Sequence, residues 1–132
     1  RHARKLRCLD GLCRRQGAGV IISSYDWTGG REALLRFGPA DGPLAALALP
    51  PFEEWNRTRT FAVGLLRRLA DRGVGSILPD LPATGESLVP PEQVTLADWR
   101  AAFAAAARDA HFTLSIRGGA LIDGDAAANH RW

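Results

Sequence analysis

The stretch ILPDLPATGESLV, Ile77 to Val89, decides how the rest of the chain is read. Its centre, LPATG (Leu81 to Gly85), spells a cell-wall sorting signal. The same residues also read as a short apolar strand that stops at Pro79-Asp80 and enters a Gly-containing turn. A sorting signal works near a C-terminus and is followed by a membrane-spanning apolar run and a basic tail. Here LPATG is followed by Glu86-Ser87-Leu88-Val89-Pro90-Pro91-Glu92 and then by an amphipathic segment, with more than a third of the chain still to come. The match is coincidence, and the segment is a strand with its turn.

Working outward, Val74 to Leu78 is that strand, and Leu44 to Leu49 (LAALAL, preceded by Pro43 and closed by Pro50) is a second unbroken apolar run. Such runs suit strands buried on both faces, as in a parallel sheet. Between them, Arg57 to Asp71 places Phe61, Leu65, Leu66 and Leu69 on one helical stripe, with Asn56 or Thr58 as cap and Gly73 as stop. Thr95-Leu96-Ala97-Asp98 resembles a capping box and opens a helix to about Ala110, with Trp99, Ala102, Phe103 and Ala106 on one face. His111 to Ile116 alternates as a strand does. Val20 to Ser24 and Arg31 to Phe37 are strand candidates, with helix open for the latter, and Gly38 to Pro43 is a turn. The Gly-rich residues after Ile116 are expected to lead into a third helix. This order predicts an α/β fold with a mostly parallel sheet flanked by helices.

The composition is that of a globular domain: 132 residues, 46% hydrophobic, 23% charged, mean hydropathy −0.10. No apolar run is long enough for a membrane span. The net charge of +3 is uneven, because residues 1–16 carry six basic residues against Asp10. Residues 1–19 therefore read as a basic tail or linker, and residues 20–132 as the domain. A solvated terminus is favoured over an arm for nucleic acid or acidic lipid. Cys8 and Cys13 lie in this tail. A structural zinc site needs four ligands and only His2 is near, so no metal is expected and the thiols read as free. The absence of Met, and an ending without a stop signal for its last helix, suggest a piece of a longer protein. The excess of Arg over a single Lys points to a bacterial source, with a cytoplasmic location expected.

Ligands of open α/β sheets sit at the carboxyl ends of strands. Three such ends are informative: LALPPFEEWNRTR, LPDLPATGES and LSIRGGALI. Their order and spacing resemble the first half of the α/β-hydrolase fold, over roughly residues 31–132. That resemblance makes the Pro51-Phe52 segment the loop that helps form an oxyanion hole. It makes Asp80, Pro82, Gly85 and Ser87 a D-x-P-x-x-G-x-S loop, and Ser115 to Gly119 the nucleophile elbow. More narrowly, PPFEEWNRTR and SIRGGAL look like hydrolase-like proteins associated with bacterial exosortase systems. The resemblance implies acyl hydrolysis of a small-molecule ester or thioester, with no cofactor.

The elbow departs from the pattern. Aligning Ser115-Ile116-Arg117-Gly118-Gly119 on G-x-S-x-G puts Arg117 at the nucleophile position, and a guanidinium cannot attack a carbonyl. With the backbone N–H groups of Gly118 and Gly119, it would suit an anionic ligand, a carboxylate or phosphate. The competing expectation is that Arg117 pairs with Asp80 or Glu53. Ser115, two residues earlier, is a displaced nucleophile candidate but reads better as a core Ser. Ser87 reads as a loop cap and Asp80 as a carboxylate that ties down its own loop. After Arg117 only Asp123, Asp125 and His130 could complete a triad, all on the expected third helix, and His111 lies at the wrong end of the sheet. Two functions follow: a hydrolase-like protein lacking its nucleophile, or a non-catalytic binder of an anion at the elbow.

Overall fold

The computed structural model describes residues 19–128 and 130–132. The Cys8–Cys13 pair and the basic tail lie outside them. Six strands form one sheet: β1 (Val20–Trp27), β2 (Gly30–Phe37), β3 (Leu44–Ala48), β4 (Gly75–Pro79), β5 (Phe112–Ser115) and β6 (His130–Arg131). Helix α1 (Glu53–Asp71) joins β3 to β4, and α2 (Leu96–Ala106) lies between β4 and β5. The spatial order is β1-β2-β4-β3-β5-β6. β2 runs antiparallel to both of its neighbours, β1 and β4, while β4, β3, β5 and β6 are mutually parallel.

The unbroken apolar runs are buried on both faces. Ala46, Ala48 and Ile77 face α2 and pack with Trp99, Ala102 and Phe103. Leu47, Leu49 and Leu78 face the other way and pack with Trp55, Ala62, Leu66 and Ala70 of α1. Period-two alternation along a strand thus feeds two separate cores. The chain leaves β3 toward β4 on one side and later returns to β5 on the other. The connections therefore diverge between β3 and β5, where the register pairs Ala48 with Ser115. A crevice outside the carboxyl ends of such strands is where this class of sheet binds ligands.

Several expectations are corrected. Helix α1 starts at Glu53, four residues before the expected Arg57, with Phe52 at its N-cap and no side-chain cap. Thr58 lies inside the helix, where its hydroxyl donates to the Glu54 carbonyl (2.7 Å). Glu53 and Glu54 in the first turn favour that earlier start through the helix dipole. The buried stripe is Trp55, Ala62, Leu66 and Ala70, and Phe61 is left exposed. Small alanines let the helix close on the sheet, so its inward face lies one position from the one the large residues suggest. Helix α2 does carry the Thr95–Asp98 capping box but ends at Ala106.

The expected third helix is instead two short 3₁₀ turns, Arg117–Leu121 and Asp123–Asp125, followed by β6. Buried Asp123 explains the interruption. Its carboxylate accepts hydrogen bonds from the hydroxyls of Ser115 (2.6 Å) and Thr113 (3.4 Å), which pins residue 123 against β5. His130 therefore lies on a strand. The LPATG segment is folded into the molecule, with Leu81 and Pro82 buried. No described helix is long and apolar enough to cross a membrane.

Candidate functional site

Three non-glycine residues among those described adopt left-handed backbone: Phe52 (φ 63°), Ala83 (φ 66°) and Arg117 (φ 50°). Each follows a different parallel strand, β3, β4 and β5 respectively. Such a residue costs about 1–3 kcal/mol and persists only where its surroundings enforce it. Backbone strain in this molecule is thus gathered at one edge of the sheet, beside the crevice between β3 and β5.

At the β5 end the enforcing contacts come from β3. The Ile116 amide donates to the Ala48 carbonyl (3.0 Å). A Cβ on Gly119 would lie 2.2 Å from that same oxygen, so only glycine can occupy this position. A Cβ on Gly118 would sit 3.2 Å from the Pro51 ring. Pro51 and Gly118, expected at one site, are therefore in contact range. Gly119 differs from expectation in one respect, since its N–H donates to the Ile116 carbonyl (2.9 Å). Because the turn is a short 3₁₀ segment, the cation at its apex is the Arg117 guanidinium rather than a helix end.

Arg117 projects outward, its side chain 72% exposed, and meets Glu54 of α1 (3.3 Å) rather than Glu53 or Asp80. Phe52 is also exposed, its ring edge-on to Trp99 with centroids 5.3 Å apart. The Trp99 indole N–H donates to the Pro82 carbonyl (2.8 Å), so one side chain of α2 links the loops after β3 and β4. Ser115 does not face the crevice as a free hydroxyl, being the donor to Asp123 described above. His111 accepts from the Leu44 amide at the opposite edge of the sheet (3.1 Å). Asp123, Asp125 and His130 are not brought to Arg117 as a triad.

The loop after β4 is densely bonded. The buried Asp80 carboxylate accepts from the Glu86 amide (3.0 Å) and from Arg59 (3.5 Å). Its main chain accepts from the Tyr25 hydroxyl (2.6 Å). Gly85, at φ 53°, presses its Cα on that carboxylate, where a Cβ would lie 2.5 Å away. The Ser87 hydroxyl accepts from the amides of Ala83 (3.0 Å) and Val89 (3.3 Å), and donates to Glu32 (3.0 Å). Thr84 braces Leu81 through both its amide and its carbonyl (2.8 Å each). Arg59 in turn lies over the Trp55 ring, 4.6 Å from its centroid.

Glu32, Tyr25 and Arg59 are partners that motif reading missed. The available signal was a single acid, Glu32, in a strand whose other charged residues are Arg31 and Arg36, directly opposite Tyr25 in register. Burial pushes the Glu32 carboxyl up from its ordinary value, and the charge of Asp80 adds to this against the Ser87 hydrogen bond. Burial likewise raises Asp80, opposed by the Glu86 amide and by Arg59. The Tyr25 phenol is raised by burial and then by both carboxylates. Among the described residues no three His, Cys, Asp or Glu side chains gather as a metal site requires.

No family model matches the sequence, and no curated protein matches it. Solved structures do. Epoxide hydrolase A from Mycobacterium thermoresistibile superposes with a TM-score of 0.62 and 24% identity, over 79% of this chain and 33% of that one. An epoxide hydrolase from Vigna radiata gives 0.59 and 18%, over 78% and 33%. Epoxide hydrolase I of potato (Solanum tuberosum) gives 0.59 and 22%, over 79% and 34%. At these identities the likeness is one of fold: the chain is α/β and matches part of the α/β-hydrolase fold. It spans about a third of the length of these structures.

Proposed function

We propose that residues 20–132 supply the N-terminal part of an α/β-hydrolase-like domain in which the elbow binds an anionic group instead of attacking an acyl carbon. Residues 1–19 are a basic tail outside that domain, and the expected setting is the bacterial cytoplasm. The observation that supports this reading is Arg117 at φ 50° on the turn after β5, with its side chain directed to solvent. The strained apex is the place where this fold class presents its reacting side chain, and here that side chain is a planar donor suited to a carboxylate or phosphate. Glu54 sits 3.3 Å away as an internal carboxylate, so a bound anion would displace it or bridge beside it. Both partners are substantially exposed, so this ion pair holds the site only weakly.

Ester or thioester hydrolysis is the second reading, favoured by the likeness in fold and by the strained loops after β3 and β5. It lacks a nucleophile at the elbow apex, and Ser115 is engaged by Asp123. The narrower resemblance to exosortase-associated proteins rests on PPFEEWNRTR and SIRGGAL alone, and it names no substrate. One titration separates the readings. Inorganic phosphate or acetate should shift the Arg117 side-chain and Gly118 amide resonances, and Arg117→Gln should abolish the shift. Absence of any shift sinks the anion reading. Turnover of a chromogenic ester that Ser115→Ala removes would install the hydrolase reading in its place.

A further inference from the structure

Beneath the loop after β4 lie two carboxylates, Glu32 at 5% and Asp80 at 4% residue exposure. One cation is within ion-pair distance of this pair among the described residues. Arg59 approaches Asp80 at 3.5 Å with a side chain 32% exposed, and among the described residues no ion pair reaches Glu32, whose hydrogen-bond donor is the neutral Ser87 hydroxyl. Two buried negative charges with one loosely held positive charge are poorly compensated, since burying an unpaired charge costs several kcal/mol, roughly, and neutralisation relieves it. The loop these acids hold is also strained, with the non-glycine Ala83 at φ 66°. The side-chain tethers on the amides of residues 83, 86 and 89 end on Asp80 or on Ser87, which itself donates to Glu32.

We propose that Glu32 and Asp80 form a proton-operated latch under residues 81–89, which holds the loop while at least one of them is protonated and loosens it when both are ionised. The proton leaves to solvent and no other chemistry is involved. The other ionisable groups facing the pair are Tyr25 from β1, Arg59 from α1 and Glu86 from the loop itself. Tyr25 is pushed away from the neutral range by burial, so it stays protonated and does not drive the transition. Arg59 and the Glu86 amide favour the ionised Asp80, while burial favours the protonated form of both acids, joined by the charge of Asp80 at Glu32 and by that of the Glu86 carboxylate at Asp80.

The sign follows from the raised values. A carboxyl whose folded value stands above its unfolded one contributes stability that is complete below the unfolded value and is lost as pH rises through the folded one. The latch therefore holds on the acid side and loosens toward neutral and alkaline pH. Its movement is transmitted, because the Pro82 carbonyl accepts from Trp99 and the Trp99 ring meets Phe52 beside the elbow.

The test uses the intact chain and two nuclear magnetic resonance measurements across pH 4 to 8. Carboxyl carbon titration should place Glu32 and Asp80 above the ordinary carboxylate range. Amide exchange, corrected for its intrinsic pH dependence, should lose about tenfold in protection at Ala83 and Glu86 for each unit by which the pair is raised. Amides of β3 and β4 should not follow, and the Trp99 indole N–H resonance should move with the loop. Glu32→Gln keeps an acceptor for Ser87 while removing the charge, and should flatten the dependence. The latch is overturned if both carboxyls titrate at about 4 or below. It is equally overturned if protection falls uniformly through β3 and β4, or if Glu32→Gln leaves the loop's pH dependence intact.

Discussion

The loop leaving β4 and the turn leaving β5 each bend a non-glycine residue into left-handed backbone, Ala83 at 66° and Arg117 at 50°. Around Ala83 the side chains hold the loop's own backbone, mostly out of solvent: Thr84 accepts from the Leu81 amide, Ser87 from that of Ala83 and Asp80 from that of Glu86, while Ser87 donates to Glu32. Around Arg117 the side chain is turned outward to one exposed carboxylate. There the turn is held from behind, by the Ile116–Ala48 hydrogen bond and the tight seat of Gly119. Strain that a loop's own side chains stabilise serves that loop. Strain held by the backbone behind it leaves its side chain available to a ligand, and this separates the two positions.

The largest effect should come from removing what holds the elbow. Gly119→Ala places a methyl group 2.2 Å from the Ala48 carbonyl, with backbone rather than a flexible side chain in the way. A loss of about 3 kcal/mol is expected in urea unfolding. A loss below about 1 kcal/mol would mean that the turn can shift, and the backbone-held half of the comparison would fail.

On the β4 side, Ser87→Ala removes one hydroxyl but strands the amides of Ala83 and Val89 and leaves Glu32 without that donor. The cost should be about 2 kcal/mol, and it should be accompanied by faster amide exchange at Ala83. Glu32→Gln should act oppositely. Since burial raises the Glu32 carboxyl, the neutral amide should stabilise the chain at pH 8 and lose that advantage as pH falls to 4, read from thermal melts at both. A stabilisation that does not depend on pH would show that packing, not charge, is responsible.

How much of this was legible depends on which physical signal carried each feature. Strands β3 and β4 were visible as apolar runs because burial on both faces leaves no polar alternation, and α2 announced its start through Thr95 and Asp98. The start of α1 was hidden, because Phe52 reaches its N-cap with φ 63°, which no propensity favours. Phe61 misled the stripe, since size outweighs the closer approach that Ala62 and Ala70 permit. The third helix failed for a tertiary reason, the hold of Ser115 and Thr113 on Asp123. The three strand ends were found from their order in the chain. The Glu32–Asp80 pairing was not, because it joins residues far apart in sequence through the antiparallel side of the sheet.

The smallest expected effect tests the elbow most directly. Arg117→Gly relieves a left-handed conformation that costs an L-residue about 1–2 kcal/mol, and adds about 0.5–1 kcal/mol of backbone entropy to the unfolded chain. The exposed Arg117–Glu54 pair contributes little to offset either. Stability should therefore be unchanged or slightly raised, with phosphate or acetate binding lost. A destabilisation of about 2 kcal/mol or more would mean that the guanidinium is itself structural. The two turns would then be built alike, and the elbow cation would be one more strut rather than a group held out for a ligand.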